Sequence, residues 1–439
     1  MKTKVFPLFA LAAVVLASCT SSLKNEPTNK AEKVPVAFNA TAVSNPVGNT
    51  PRRIGANGVV NTLAELQSNH EKIGVFGFYT GNDPFSRTTS LPNFMWNEEL
   101  AYDGAAWAYS PIKYWPNEWA NVIEHGATST DGQADKLSFF AYSPYVAAPA
   151  AGPGITGMSG NTAGGTPWVE YEAVSEGTGV DLMWAVSQAA GTWGTNSTVT
   201  AGMPFKNLVK PADPSASVPF HMRHALARVA ATVKLAATPD PNTKVFIEKF
   251  ELISDDGSTP IFNSTGRLEL DNTVANVPTW TNQAGTFATY KFAHSEFTPA
   301  IALAGYNPST DVVSWWDAGT NTVTANAWDA HTGLTGLTNA AQPLLLTSAG
   351  LSNFGAFFVP GAGADFKIRV KYWVITSDGA LAFSSSAVPN DITSVTIPAI
   401  TLEAGKITVL NVQLSLQDVK CTVQSIETWS TAGLDYVIP

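Results

Sequence analysis

Phe366-Lys367-Ile368-Arg369-Val370-Lys371-Tyr372-Trp373-Val374 sets an apolar side chain at every second position, and Lys367, Arg369 and Lys371 fall between them. Neighbouring residues of an extended chain point to opposite faces, so this is a β-strand with one buried and one wet face. The pattern recurs along the chain. Val229, Ala231, Val233 and Leu235 share a face opposite Arg228, Thr232 and Lys234. Leu410, Val412, Leu414 and Leu416 oppose Asn411, Gln413 and Ser415, and Val245 to Ile253 reads as a strand with Lys249 and Glu251 outward. Strict alternation with one polar face belongs to antiparallel sandwiches, not to parallel sheets covered by helices. The expected fold class is therefore all-β.

Working outward from these strands, Lys72 to Tyr79 and Lys136 to Tyr142 are apolar enough to be buried strands. Val34 to Val43 alternates loosely, with Val36 and Phe38 set among small residues, and reads as one strand. Thr62 to Gln67 is the one short helix expected in the N-terminal half. Long amphipathic helices are missing, which removes most α/β enzyme folds. A domain break is expected near 205–218, where Pro204, Pro211, Pro214 and Pro219 cluster. Residues 147–167 are rich in Ala, Gly and Pro and read as a long surface loop. Within it Gly152-Pro-Gly-Ile-Thr-Gly157 fits the GxGxxG spacing, but its flanks are prolines and glycines where a dinucleotide site needs a strand and a helix.

Composition narrows the function. Charged residues make up 14% of the 439, and the formal charge is −10, so nucleic acid is not an expected partner. The chain starts with a signature of export. Lys2 and Lys4 precede an apolar run from Val5 to Ala17, too short to span a bilayer. Leu16-Ala17-Ser18-Cys19 follows, a lipobox in which small side chains flank the scissile bond and the Cys19 thiol takes the lipid. Several acyl chains on one residue suffice for stable anchoring. The only other cysteine is Cys421, so with Cys19 acylated no disulfide forms within the chain. Residues 20–33 form a polar tether, and Asn45 to Gly58 is an exposed loop holding Arg52-Arg53.

The common catalytic and metal motifs are absent, and no metal or cofactor is expected. Of the six histidines only His221 and His224 are close, and residues three apart on a strand face opposite ways. Glu98-Glu99 and the pair Glu170 and Glu172 are read as solvated strand faces rather than acid–base pairs. Trp115, Trp119, Trp315 and Trp316 are the tryptophans most available to stack on a sugar, although core filling is the commoner use of tryptophan in large sandwiches.

Three stretches together resemble the fimbrillin family, the type V pilins and Mfa-like lipoproteins of the Bacteroidetes group. Trp107-Ala-Tyr-Ser-Pro-Ile-Lys-Tyr-Trp-Pro116 and then Asp135-Lys-Leu-Ser-Phe-Phe-Ala-Tyr-Ser-Pro-Tyr145 are similar to the family's W-x-Y-x-P-x-K-Y-W-P core and the D-K-x-x-F-x-A-Y-x-P that follows it. Pro219-Phe-His-Met-Arg-His-Ala-Leu-Ala-Arg-Val229 resembles the entry to its second domain. Leu402-Glu-Ala-Gly-Lys-Ile-Thr-Val-Leu-Asn-Val412, continuing to Val419 and Trp429, resembles its closing strands. The resemblance covers essentially the whole chain.

It implies two transthyretin-like antiparallel β-sandwich domains in tandem. The expected division is a signal peptide at 1–18, a lipidated propeptide with a removable first strand at 19–53, an N-terminal domain at 54–215 and a C-terminal domain with a donor tail at 216–439. It also implies maturation. A precursor carried to the outer membrane by its lipid is cut after an arginine, here Arg52 or Arg53. The strand with Val36 and Phe38 is then lost, and a strand of a neighbouring subunit fills the groove. The expected donor is Thr422 to Pro439, with Val423, Ile426, Trp429, Tyr436, Val437 and Ile438 as the residues that fill pockets. The partners implied are other fimbrial subunits, with a host protein or glycan as a further possibility, and no enzymatic activity is expected. Some members keep their lipid uncut as anchors, so stalk, tip and anchor roles stay open at this point, as does a surface lipoprotein that binds a glycan or host protein.

Overall fold

The computed structural model describes residues 33–42, 60, 62–116, 135–177, 179–193, 197–237, 243–292, 316–317, 322–323, 344–346, 351–376, 381–382, 390–415 and 419–428. In chain order the elements are β1 (Ala37–Ala42), α1 (Leu63–Asn69), β2 (Lys72–Tyr79), β3 (Met95–Tyr102), β4 (Trp107–Ala108), β5 (Leu137–Ser143), β6 (Gly154–Met158), β7 (Trp168–Glu172) and β8 (Met183–Val186). There follow β9 (Gly191–Trp193), β10 (Ser197–Val199), β11 (Phe205–Leu208), β12 (Ser217–His224), β13 (Ala227–Leu235), β14 (Thr243–Ser254), β15 (Thr265–Val274), β16 (Val277–Ala284) and β17 (Thr289–Phe292). The last are β18 (Trp316–Asp317), β19 (Thr322–Val323), β20 (Leu344–Leu346), β21 (Leu351–Phe358), β22 (Gly361–Ala362), β23 (Phe366–Thr376), β24 (Leu381–Ala382), β25 (Asn390–Thr393), β26 (Thr401–Leu402), β27 (Lys406–Leu414) and β28 (Val419–Thr428). The protein is all-β. Its short helix starts where Thr62 accepts a hydrogen bond from the Glu65 N–H at 3.1 Å, and it buries Leu66. No helix among the described residues is long and apolar enough to cross a membrane.

The first large sheet runs β1-β12-β8-β5-β2-β3-β4, with β11 also paired to β5. A second runs β21-β13-β27-β28, and a third has β17-β14-β23-β24 as its spine. A fourth, β16-β15-β7-β6, joins strands from the two halves of the chain. Pairing among these sheets is antiparallel except for β1 with β12 and β13 with β27.

Three apolar clusters explain the sequence patterns. Ile73, Val75, Leu137, Phe139 and Ala141 line one face of the first sheet, while Phe76, Phe78, Phe140 and Tyr142 line the other. Both faces are covered, so β2 and β5 are apolar almost throughout. The second and third sheets face each other across Val229, Ala231, Val233, Phe250, Ile368, Val370, Leu410 and Val412. Phe366, Ile368, Val370 and Tyr372 are buried, as the alternation requires. The remaining cluster lies between the first sheet and the back of the second, where Phe357, Ile407 and Val409 meet Phe76 and Trp184.

Two outward assignments are corrected. Arg228 is buried because the back of β13 is itself covered by neighbouring layers. Glu251 is buried beneath Arg369 and Lys249, its carboxylate accepting from Arg369 Nε at 2.6 Å. The break expected after residue 215 falls ahead of β12, whose eight residues pair within the first sheet. The chain passes to the second sheet at Ala225-Leu226, both fully buried.

Gly74 and Tyr142 are ladder partners on β2 and β5. The Tyr142 ring crosses the glycine and donates its hydroxyl to Asn97 Oδ1 at 2.8 Å. A methyl group on Gly74 would overlap both that ring and the Asn97 oxygen. Gly74→Ala is expected to lower the urea midpoint by a destabilisation of about 1–3 kcal/mol, as overpacking does. An unchanged midpoint would show that the ring does not rest on Gly74.

Candidate functional site: the first strand and its groove

β1 alternates cleanly in space. Val34, Val36, Phe38, Ala40 and Ala42 all turn inward and are all buried, while Lys33, Pro35 and Asn39 turn out. Phe38 sits deepest in aromatic company. Its ring stacks on Phe220 at 5.2 Å between centroids and meets Phe139 at 5.1 Å and Tyr109 at 5.6 Å edge-on.

The backbone around β1 is paired on both sides. On one side it runs parallel to β12, from Ala37 opposite Ser217 to Ala42 opposite Met222. On the other, Val36 N–H donates to Lys113 O at 2.8 Å and Trp115 N–H donates to Val34 O at 2.9 Å. Tyr109 adds its hydroxyl to Val36 O at 2.8 Å. The strand thus closes a gap between β12 and residues 113–115. Burial of Val34, Val36 and Phe38 contributes about 1.5–3 kcal/mol each. Without β1, the edges of β12 and 113–115 would carry unpaired N–H and C=O groups, and Val218, Phe220 and Met222 would lose their cover.

Downstream the chain is pinned again at Val60, whose N–H donates to Asp181 Oδ2 at 3.2 Å. Asp181 is fully buried and pairs with His224 Nδ1 at 2.9 Å. His70, at the end of α1, lies beside this pair with its Nδ1 3.0 Å from Ser143 Oγ. Burial pushes the His70 imidazole down to about 4, with the charge of Asp181 opposing the shift. His221 faces Thr41 of β1, Nδ1 to Oγ1 at 3.3 Å, and burial with help from Arg223 lowers it also to about 4.

Of the residues expected to act, Val36 and Phe38 are placed in the groove. Val423 and Ile426 lie in β28, which is hydrogen-bonded to β27 opposite Leu410 and Thr408. Cys19, Arg52, Arg53, Trp429, Tyr436, Val437 and Ile438 lie outside the described residues. Of the groove's own residues, Tyr109 is expected from its motif to fill the core with a polar tip, whereas Phe139 and Phe220 carry no individual role in the sequence. The alternation of Val218, Phe220 and Met222 was the signal for them. Trp115 is buried in the core beside Trp193 and Phe139, so it offers no face to a sugar. Trp119 and Trp315 lie outside the described residues. Glu170 is bound to Arg267 at 2.8 Å, and Arg267 also lies over the Trp168 ring. Among the described residues no group of three His, Cys, Asp or Glu side chains is set to hold a metal ion.

No family model matches the chain. It is similar to the fimbrium subunit Fim1C of Phocaeicola vulgatus, with 22% identity over 390 residues covering 85% of each chain. In three dimensions it resembles a fimbrial protein from Bacteroides vulgatus ATCC 8482, with a TM-score of 0.56 and 17% identity, over 91% of this chain and 100% of that one. The second likeness shows a shared fold.

Two outcomes are expected. Phe38→Ala should destabilise the precursor by about 3–5 kcal/mol in urea, the range for emptying an aromatic core position. For His70 the folded value lies below the unfolded one, so its contribution is complete above pH 6.5 and is lost as pH falls toward 4. The loss amounts to about 3 kcal/mol. His70→Gln should flatten the stability profile between those pH values. A variant whose stability falls as steeply as the parent's would remove His70 from the account.

Proposed function

We propose that this chain, a protein of the fimbrillin family, is a structural, non-enzymatic subunit of a surface fimbrium, carried to the outer membrane through a lipid on Cys19 and joined to its neighbours by strand exchange. The similarity to Fim1C along most of both chains supports the fimbrial role. One observation carries the mechanism. β1 and the three residues before it fill a groove with an apolar face below, bonded to β12 along 37–42 and to residues 113–115 along 34–36, and they are tied to the rest by residues 43–59, which hold Arg52 and Arg53. A cut there severs β1 covalently while Val60 stays anchored on Asp181.

The side chains that fill the groove support one replacement for β1. Its inward positions hold two branched residues, an aromatic ring and then alanine. Ala432, Leu434, Tyr436 and Ile438 repeat at the same two-residue spacing. Laid parallel to β12, such a tail from a neighbouring subunit puts Leu434 in the place of Val36 and Tyr436 in the place of Phe38. Val437 then falls on the opposite face with Asp435. Because β28 already completes a sheet of its own subunit, we assign the donor role to the residues after Thr428.

A second reading is an uncut lipoprotein that anchors a fimbria or binds a host protein or glycan. The feature that favours it is the completeness of the fold with β1 in place. Treating purified precursor with an arginine-specific protease separates the two. A cut at Arg52 or Arg53 followed by an SDS-resistant ladder is expected, and Tyr436→Ala should shorten that ladder at unchanged cutting. A chain that resists cutting, or stays monomeric once cut, would leave the anchor reading in possession.

A further inference from the structure

A cleft of about 630 Å³ opens where the end of β12 faces the β16 strand and the loop before β27. Arg223 reaches it from the first sheet. Arg223 is the ladder partner of Trp184, so its side chain leaves the sheet on the face turned toward the second half of the chain. The guanidinium Nε is buried and has no hydrogen-bond partner. No carboxylate pairs with Arg223 among the described residues. Burial lowers its proton affinity and no acidic neighbour offsets this. Glu403, the acid that lines the cleft, is held by Lys406. A partly buried cation with no counter-ion costs folding free energy, and a bound anion would return it.

The rest of the cleft narrows the class of anion. Its volume lies within the range of small-organic sites, roughly 300–1,000 Å³, and is far more than a bare anion fills. Trp280 lines it with a partly exposed ring. The indole N–H of that ring is spent on Ala225 O at 2.9 Å, which leaves its surface for apolar contact. Gln283 spends its Nε2 on Pro360 O, so its side-chain carbonyl remains to accept from a hydroxyl. A guanidinium fork, an aromatic surface and an amide acceptor together suit a hydroxylated ring that bears a carboxylate. A simple carboxylate such as acetate would use the first of these and leave the other two idle.

We propose that this cleft binds a carboxylated sugar, with the carboxylate on Arg223 and the ring against Trp280. The site is separate from the β1 groove and does not depend on strand exchange.

Titration calorimetry on the full chain tests this with methyl glucuronide, methyl glucoside and acetate. The uronide is expected to bind at least about tenfold more tightly than either control, a difference of about 1.4 kcal/mol. Arg223→Met should weaken the uronide by at least that factor and leave the melting temperature unchanged or raised. A glucuronate-ended disaccharide separates the sources. Binding equal to that of the methyl uronide assigns a glycan end, and exclusion of the disaccharide assigns a free sugar acid. The proposal is overturned if the uronide gives no heat, if it binds no better than glucoside or acetate, or if Arg223→Met binds like the parent. It is also overturned if Arg223→Met melts more than about 4 °C lower, since Arg223 would then be holding the fold together.

Discussion

Residues 34–42 join two edges, bonding to residues 113–115 along 34–36 and to β12 along 37–42, and the N-terminal half is arranged around that fact. A sheet that curls back on its own apolar face must either meet its far edge or leave two rows of amide groups bare. Here β1 meets β12 on one side and residues 113–115 on the other. Phe38 then supplies the ring on which Phe139, Phe220 and Tyr109 converge. The strand is at once a structural keystone and the element most simply severed from the chain. Those two properties coexist because the chain is pinned separately at Val60, by a buried carboxylate that also meets His224 Nδ1.

The period of two in the sequence settled which residues share a face, and it did so well at Phe366 to Tyr372 and at Leu410 to Leu414. It did not settle whether the opposite face meets water. Arg228 and Glu251 sit at positions that alternation assigns outward, and both are buried. The reason is layering. The back of β13 belongs to a third apolar cluster, and β14 carries its own ion pairs above the carboxylate. Periodicity is a local property of one strand, whereas a second covering layer depends on chain hundreds of residues away. The same limit hid the sheet that joins β7 to β15, since nothing in either strand names the other. The strand with Val36 and Phe38 was legible. The aromatic floor beneath it was not, because Tyr109, Phe139 and Phe220 come from three distant segments.

Charge is sparse in this protein, and most of what lies inside is neutralised on the spot. Asp271 is held by both Arg87 and Lys206, and Glu251 by Arg369. Against that habit Arg223, with no carboxylate partner among the described residues, is an exception, and exceptions of this kind collect at binding sites because the cost of keeping them has to be offset by something outside the fold.

β1 runs parallel to β12, not antiparallel. A strand that takes its place in the same sense has a direction, and so does the contact it makes. In the proposed exchange the acceptor is a groove near the beginning of one chain and the donor a tail near the end of another, so the two surfaces differ. A contact of that heterologous kind, passed on from copy to copy and not returned, does not close into a two-fold dimer. Repeated, it yields an open filament with distinguishable ends, one with an empty groove and one with an unused tail, and growth would have a polarity written into the register of a single pair of strands.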